Sequence, residues 1–220
     1  MTGSPSPYRA GARRALTIAR AVFVFGASFG LVAQAAGVGA AASLVMSATT
    51  FAGSAQFAAA SVLSAAGGVG AAATAAILLN VRYLPIGISV ASVIRGGTLR
   101  RLLEAQLVVD ESWAFSRRRD GSFDRGILIG AGLVLYVCWI GGTAAGAFGG
   151  KALGNPHSLG LDGAFAALFL ALLVSQIHSR RALVAALLGG TIAFVLIPFT
   201  SPGVPIVAAT AACLVGWRKS

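Results

Sequence analysis

The stretch Asn80-Val-Arg-Tyr-Leu-Pro85 puts an amide, a guanidinium, a phenol and a proline into one short segment near the middle of the apolar run 69–94. Arg82 carries a permanent charge and a planar fork of donors that matches a carboxylate. Asn80 and Tyr83 can each donate and accept beside it. At mid-bilayer a charged side chain costs about 2.5–3.5 kcal/mol on insertion scales. Pro85 removes a backbone donor and clashes with the carbonyl of Val81, so the helix is expected to break or kink across residues 80–85. Broken backbone persists at that depth only inside protein or beside an aqueous cavity. Two readings follow: a solute pathway in which Arg82 faces a carboxylate, and a structural ion pair or a cation reaching outward to the headgroups.

Two more segments carry chemistry. Residues 51–57 read FAGSAQF, with Ser54 and Gln56 between the rings of Phe51 and Phe57. If this is a hairpin tip, the second helix starts near Ser54. Its unpaired amides and positive dipole end would then suit a carboxylate. The same Ser and Gln could equally form a polar patch between packed helices. Asp110 and Glu111 are adjacent carboxylates in a short apolar segment. Their mutual repulsion favours uptake of a proton by one of them, which makes the pair a proton-coupling candidate and a partner for an ammonium group. The alternative is a solvated face neutralised by Arg100, Arg101 or Arg117, Arg118 and Arg119. Glu104 reads as a helix pair with Arg100 or Arg101, Asp162 as an N-cap, and His157 and His178 as interfacial residues.

Other matches carry no chemistry. Gly26-Ala-Ser-Phe-Gly30 has the nucleophile-elbow spacing but lies in a continuous apolar helix, without the strand-to-helix turn that motif needs. Residues 68–73 approximate a dinucleotide fingerprint without strand or following acid. Cys138 and Cys213 are isolated in apolar runs, and two histidines give little scope for a metal. No metal and no cofactor are expected.

The elements that must position these residues are membrane helices. Of the 220 residues 57% are hydrophobic and only 10% charged, against about a quarter charged in a soluble domain. The apolar runs 15–38, 69–94, 126–149, 163–177, 182–197 and 203–217 are close to the ~20 residues a helix needs to cross a bilayer. The expected fold is an all-α integral membrane protein of about six transmembrane helices plus two short re-entrant or interrupted segments. The net charge of +11 does not point to nucleic acid, because the cations sit at run ends where the positive-inside rule places them. Clusters at Arg9, Arg13, Arg14 and Arg20, at Arg95, Arg100 and Arg101, at Arg117, Arg118, Arg119 and Arg125, at Arg180 and Arg181, and at Arg218 and Lys219 all read as cytoplasmic. Both termini are then cytoplasmic. Lys151 alone falls in an external loop, with a turn at Asn155-Pro156.

Residues 1–14 read as a disordered cytoplasmic tail, and 15–220 as one polytopic transmembrane domain. The basic start followed by an apolar stretch mimics a signal peptide and is read as a retained first span. Parity makes 40–68 a re-entrant hairpin or a pair of short spans that starts and ends outside. Residues 102–116, flanked by Arg101 and Arg117, dip in from the cytoplasm or lie at the interface, with Thr98 as the expected N-cap of that helix. The last span is expected to start at Ser201-Pro202 and to end at the interfacial Trp217. GxxxG spacings at Gly26 and Gly30, Gly126 and Gly130, and Gly142 and Gly146 allow close helix approach without marking a face.

FAGSAQFAA, NVRYLPIGISVA and the acidic pair in VVDESWAFS, followed by LGLDGAFAALFLALL from Leu159, together resemble AzlC-type branched-chain amino-acid permeases. The ordered matches run from about residue 16 to the C-terminus. The resemblance implies an inner-membrane exporter of valine, leucine and isoleucine, with methionine in the extended set, coupled to the proton-motive force. It also implies a second, small AzlD-type membrane subunit. The family's motifs fall on Phe51 to Phe57, on Asn80, Arg82 and Tyr83, and on Asp110-Glu111. Val109 stands where a threonine often precedes the acidic pair, which argues against a hydroxyl role there. The substrate site is accordingly expected from Arg82, Asn80, Tyr83, Ser54, Gln56, Phe51 and Phe57, with Asp110 and Glu111 for proton coupling. Two other classes stay open: an intramembrane hydrolase built on Ser175 and His178, and a non-transporting assembly partner. No enzymatic activity is expected.

Overall fold

The computed structural model describes residues 6–150, 170, 173–174, 177, 179–200 and 204–212. Among them the chain is helical, apart from one isolated bridge between Arg117 and Phe123. The helices are α1 (Pro7–Ala35), α2 (Ala40–Thr50), α3 (Gly53–Ser64), α4 (Val69–Asn80), α5 (Tyr83–Val90), α6 (Thr98–Ala105), α7 (Asp110–Ser116), α8 (Arg125–Gly149), α9 (Arg180–Leu196) and α10 (Val204–Ala209). Two of them, α1 and α8, are long and apolar enough to cross a membrane, and α4 with α5 makes a third crossing if the bent pair is one span. The all-α membrane class expected from the apolar runs is what the described residues form, with two to three candidate spans among them; much of the expected spans 163–177 and 203–217 lies outside the described residues. Ser175, His178, Asp162, His157, Lys151, Asn155, Pro156, Ser201, Pro202 and Trp217 lie outside the described residues.

α1 and α8 form the frame, and glycines set how closely they approach. A Cβ at Gly11 would meet the Ile127 carbonyl, at Gly130 that of Tyr8, at Gly142 that of Phe23, and at Gly146 that of Ala27. Contacts advance together along both chains, so the two helices run parallel. The GxxxG spacings at Gly26 and Gly30, and at Gly142 and Gly146, therefore face each other across one seam. Gln34 closes its far end by donating to the Ala147 carbonyl at 2.8 Å. A parallel pair places Arg13 and Arg14 at the same end as Arg118 and Arg119.

This seam corrects the expectation for the N-terminus. Residues 7–14 are the first two turns of α1, not disordered tail: Pro7 opens the helix, and Gly126 and Gly130 let Pro7 and Tyr8 pack directly on α8. Tertiary contact overrides a Pro/Gly-rich composition here. Thr98 is likewise the first residue of α6 and not its N-cap. Gly97 occupies the cap position, after a turn at Gly96 whose φ of +125° favours glycine.

The basic end is tied together by Glu104. Its carboxylate is buried, accepts from Arg100 Nε at 2.9 Å and Arg125 Nε at 2.9 Å, and also binds Arg125 Nη2. Arg125 in turn donates to the Tyr8 hydroxyl at 2.9 Å. Hydrogen bonding from Arg125 holds Glu104 below the ordinary carboxylate pKa. α6, α8 and α1 thus meet at one carboxylate, more than the local helix pair expected from spacing.

Candidate functional site

Three interruptions in helical segments build the site. Between α2 and α3, Phe51 takes a left-handed conformation (φ 41°, ψ 48°) and Ala52 an extended one (φ −138°, ψ 87°). The carbonyls left open at the end of α2 are taken by side chains from elsewhere. Tyr136 Oη donates to Ala48 O at 2.8 Å, and Gln106 Nε2 donates to Ala48 O and Thr49 O, each at 3.0 Å. This satisfies groups that a helix end otherwise leaves unpaired.

Between α4 and α5 the axis bends by 44°. Pro85 has no N–H for the Val81 carbonyl, and Leu84 N donates to it instead at 3.0 Å. Val81 and Arg82 keep right-handed helical angles, so the chain kinks at the place expected without unwinding. The third interruption runs from Gln106 to Val109, after which Asp110 and Glu111 begin α7, where the helix dipole favours negative charge.

These interruptions converge on a cavity of about 440 Å³, inside the usual range for small-molecule sites. Its polar wall is Ser54, Arg82, Tyr83, Asp110 and Glu111, and its apolar wall includes Val22, Phe25, Phe57, Leu135 and Trp139. Arg82 Nη2 donates to Ser54 Oγ at 3.0 Å and lies 3.0 Å from Asp110 Oδ2. Its guanidinium carbon stands 5.3 Å from the Tyr83 ring centre, a cation–π distance. Arg82 is therefore turned into the protein rather than stretched outward. The apolar wall is rigid aromatic packing: Phe29 meets Phe57 edge-on at 5.7 Å and stacks on Trp139 at 6.1 Å.

Seven of the nine residues expected from sequence line this cavity: Phe51, Ser54, Phe57, Arg82, Tyr83, Asp110 and Glu111. Gln56 does not. It is fully buried behind the wall, where Nε2 donates to Ser47 Oγ at 3.0 Å and Oε1 accepts from Ala52 N at 3.2 Å and Trp139 Nε1 at 3.1 Å. Ser47 Oγ and Thr143 Oγ1 continue the network at 2.9 Å. Gln56 clamps the break; its hydrogen-bonding capacity is spent on protein. Asn80 is also elsewhere. It lines a second cavity of about 560 Å³, and its buried Oδ1 has no hydrogen-bond partner among the described residues.

The sequence reading missed Trp139, whose ring closes the apolar wall. A signal was present: Trp139 sits mid-span in α8, whereas membrane tryptophans favour the interfaces. Val22 and Phe25 gave no such signal in an apolar helix.

The family model described as AzlC protein matches residues 17–153, a stretch that holds nearly all of the α1–α8 frame and all three interruptions. A similar relative is a protein of Archaeoglobus fulgidus described as an uncharacterized membrane protein, 27% identical over 201 residues that cover 86% of this chain and 85% of that one. No solved structure matches. The chain is a membrane protein and belongs to the AzlC protein family.

Proposed function

We propose that the protein is a secondary transporter that exports branched-chain amino acids (valine, leucine, isoleucine and methionine as the extended set) across the inner membrane, coupled to protons and working with a small AzlD-type membrane subunit. The observation that carries this reading is the mixed lining of the cavity. A guanidinium and two carboxylates share it with aliphatic and aromatic side chains. That arrangement complements a zwitterion with a bulky apolar side chain. Arg82 holds the carboxylate, aided by the first turn of α3 at Ser54. The apolar wall takes the side chain, with Phe57 and Trp139 as its rings.

Asp110 Oδ2 lies 3.0 Å from Arg82 Nη2. An arriving substrate carboxylate replaces it, and the freed Asp110 and Glu111 take up the ammonium group or a proton. This exchange gives substrate and proton a shared partner, which is what coupling requires. The basic clusters face the cytoplasm in this reading.

Counterflow of labelled leucine in proteoliposomes, with and without the small subunit and an imposed pH gradient, tests it. Leucine exchange that saturates, is competed by valine and isoleucine, and responds to the gradient is the expected outcome. Protein that inserts and moves no amino acid under either condition would instead favour the assembly-partner reading.

A further inference from the structure

The second cavity lies along α5 and has no role in the transport cycle described so far. Tyr83, Gly87, Val90, Ala91 and Ile94 line it at helical three- and four-residue spacing. They form one stripe from the kink down to Arg95. Thr98, Arg101, Leu102 and Ala105 of α6 make the facing stripe with the same spacing. The cavity therefore runs from the helix interruptions, where Asn80 and Phe51 lie, to the basic face at Arg101. Gly87 faces open space, since a Cβ there would meet nothing within 4 Å.

Two residues, Phe51 and Tyr83, line both cavities. Each sits at a chain interruption. Phe51 is buried, its ring meets Tyr136 edge-on at 5.1 Å, and its left-handed backbone is one that a non-glycine residue keeps only where its surroundings hold it. Asn80 also lines this inner end; its Oδ1 is a buried acceptor with no donor among the described residues, and such groups are costly unless something pairs with them.

We propose that this cavity is a waiting site for the amino-acid zwitterion on the basic face, where Asn80 Oδ1 accepts from the substrate ammonium group and Phe51 with Tyr83 gates passage to Arg82. The inference rests on the transporter reading and adds a second station and an inner gate to it. Rotation at either interruption moves a ring out of the partition without moving the α1–α8 frame.

Single cysteines introduced as Gly87→Cys in the outer cavity and Val22→Cys in the inner one, with Cys138 and Cys213 replaced by alanine, test it in proteoliposomes. A membrane-impermeant methanethiosulfonate is applied from the basic face. The Gly87→Cys thiol is expected to label readily and to be protected by leucine. The Val22→Cys thiol should label about tenfold more slowly or worse, as for a gate open a tenth of the time or less. Phe51→Leu should remove most of that difference, and Asn80→Ala should abolish leucine protection of Gly87→Cys. Equal labelling of the two thiols in protein with Phe51 intact, or no leucine protection at Gly87→Cys, overturns the proposal without need of the Phe51 variant. Leucine counterflow by the unsubstituted protein reports separately on the transporter reading. Counterflow with an unprotected Gly87→Cys sinks the waiting site alone, and absent counterflow sinks the reading beneath it.

Discussion

Arg82 Nη2 lies 3.0 Å from Asp110 Oδ2, joining the α4–α5 kink to the start of α7, with both side chains 41% exposed. A pair so open is worth about 1 kcal/mol or less. The pair is therefore poorly explained as a structural brace and well explained as a site waiting for another carboxylate. Arg82→Gln is expected to shift the thermal midpoint little and to weaken leucine binding about tenfold or more, the worth of a hydrogen bond to a charged group. Thermal unfolding and leucine counterflow on the same preparation check both halves. A large loss of stability with intact counterflow would return Arg82 to a structural role.

Local chemistry made part of this site legible. The kink at residues 80–85 followed from Pro85 and the break near Ser54 from a run of small polar residues, because both effects act within one helical turn. The pairing of Arg82 with Asp110 was not legible. It depends on three interrupted segments folding onto one another, and any of several carboxylates or an external anion could have met the same guanidinium. Gln56 was misplaced for a related reason. An amide reads as a ligand group or as a clamp according to whether it faces a cavity or a wall, and alternation along α3 does not distinguish the two when both faces are alanine. Residues 7–14 were lost because glycine on a distant helix, not their own composition, gives Pro7 and Tyr8 a surface to pack on.

Gln56 serves three groups at once if its role is the clamp seen here. Gln56→Leu would strip partners from Ala52 N, Trp139 Nε1 and Ser47 Oγ while keeping similar bulk. Each stranded buried group costs about 1–3 kcal/mol. The variant is expected to be destabilised by roughly 3 kcal/mol, seen in thermal or denaturant unfolding in detergent. A substrate-binding role would instead leave stability intact and lower leucine affinity.

Glu104 gives a pH signature. Its carboxylate is held below the ordinary value of 4.5 by Arg125 and Arg100, so its contribution is fully present above that value and is lost as pH falls through the lower, folded one. Glu104→Gln should therefore lower the unfolding midpoint at pH 7, and the gap to the unsubstituted protein should narrow below pH about 4. A gap that stays constant down to pH about 3 would show that the charge of Glu104 contributes nothing.

The parallel seam predicts opposite outcomes for two glycines. At Gly146 a Cβ would run into the Ala27 backbone, so Gly146→Ala is expected to cost about 1–3 kcal/mol by overpacking. At Gly70, in the first turn of α4, a Cβ meets nothing within 4 Å, and Gly70→Ala should be neutral or stabilising by about 0.5–1 kcal/mol. Unfolding midpoints of the two variants decide this, and equal effects would mean that α1 and α8 do not touch along this line.

Asp110 is the residue whose substitution separates binding from coupling. In the proposed cycle it competes with the substrate carboxylate for Arg82, and an exposed pair of this kind is worth about 0.2–1 kcal/mol. Asp110→Asn removes the competitor's charge, so equilibrium leucine binding should tighten, by up to about fivefold. The same change removes a proton acceptor, and stimulation of transport by an imposed pH gradient should fall. Glu111→Gln is the companion: it leaves the Arg82 pair in place and should affect gradient stimulation without tightening binding. Measured together, leucine affinity and gradient response assign the roles. Weaker binding in Asp110→Asn would mean that contact of Asp110 with the ammonium group outweighs its competition for Arg82. Full gradient stimulation in both variants would mean that neither acid carries the proton, because no other carboxylate lines this cavity among the described residues.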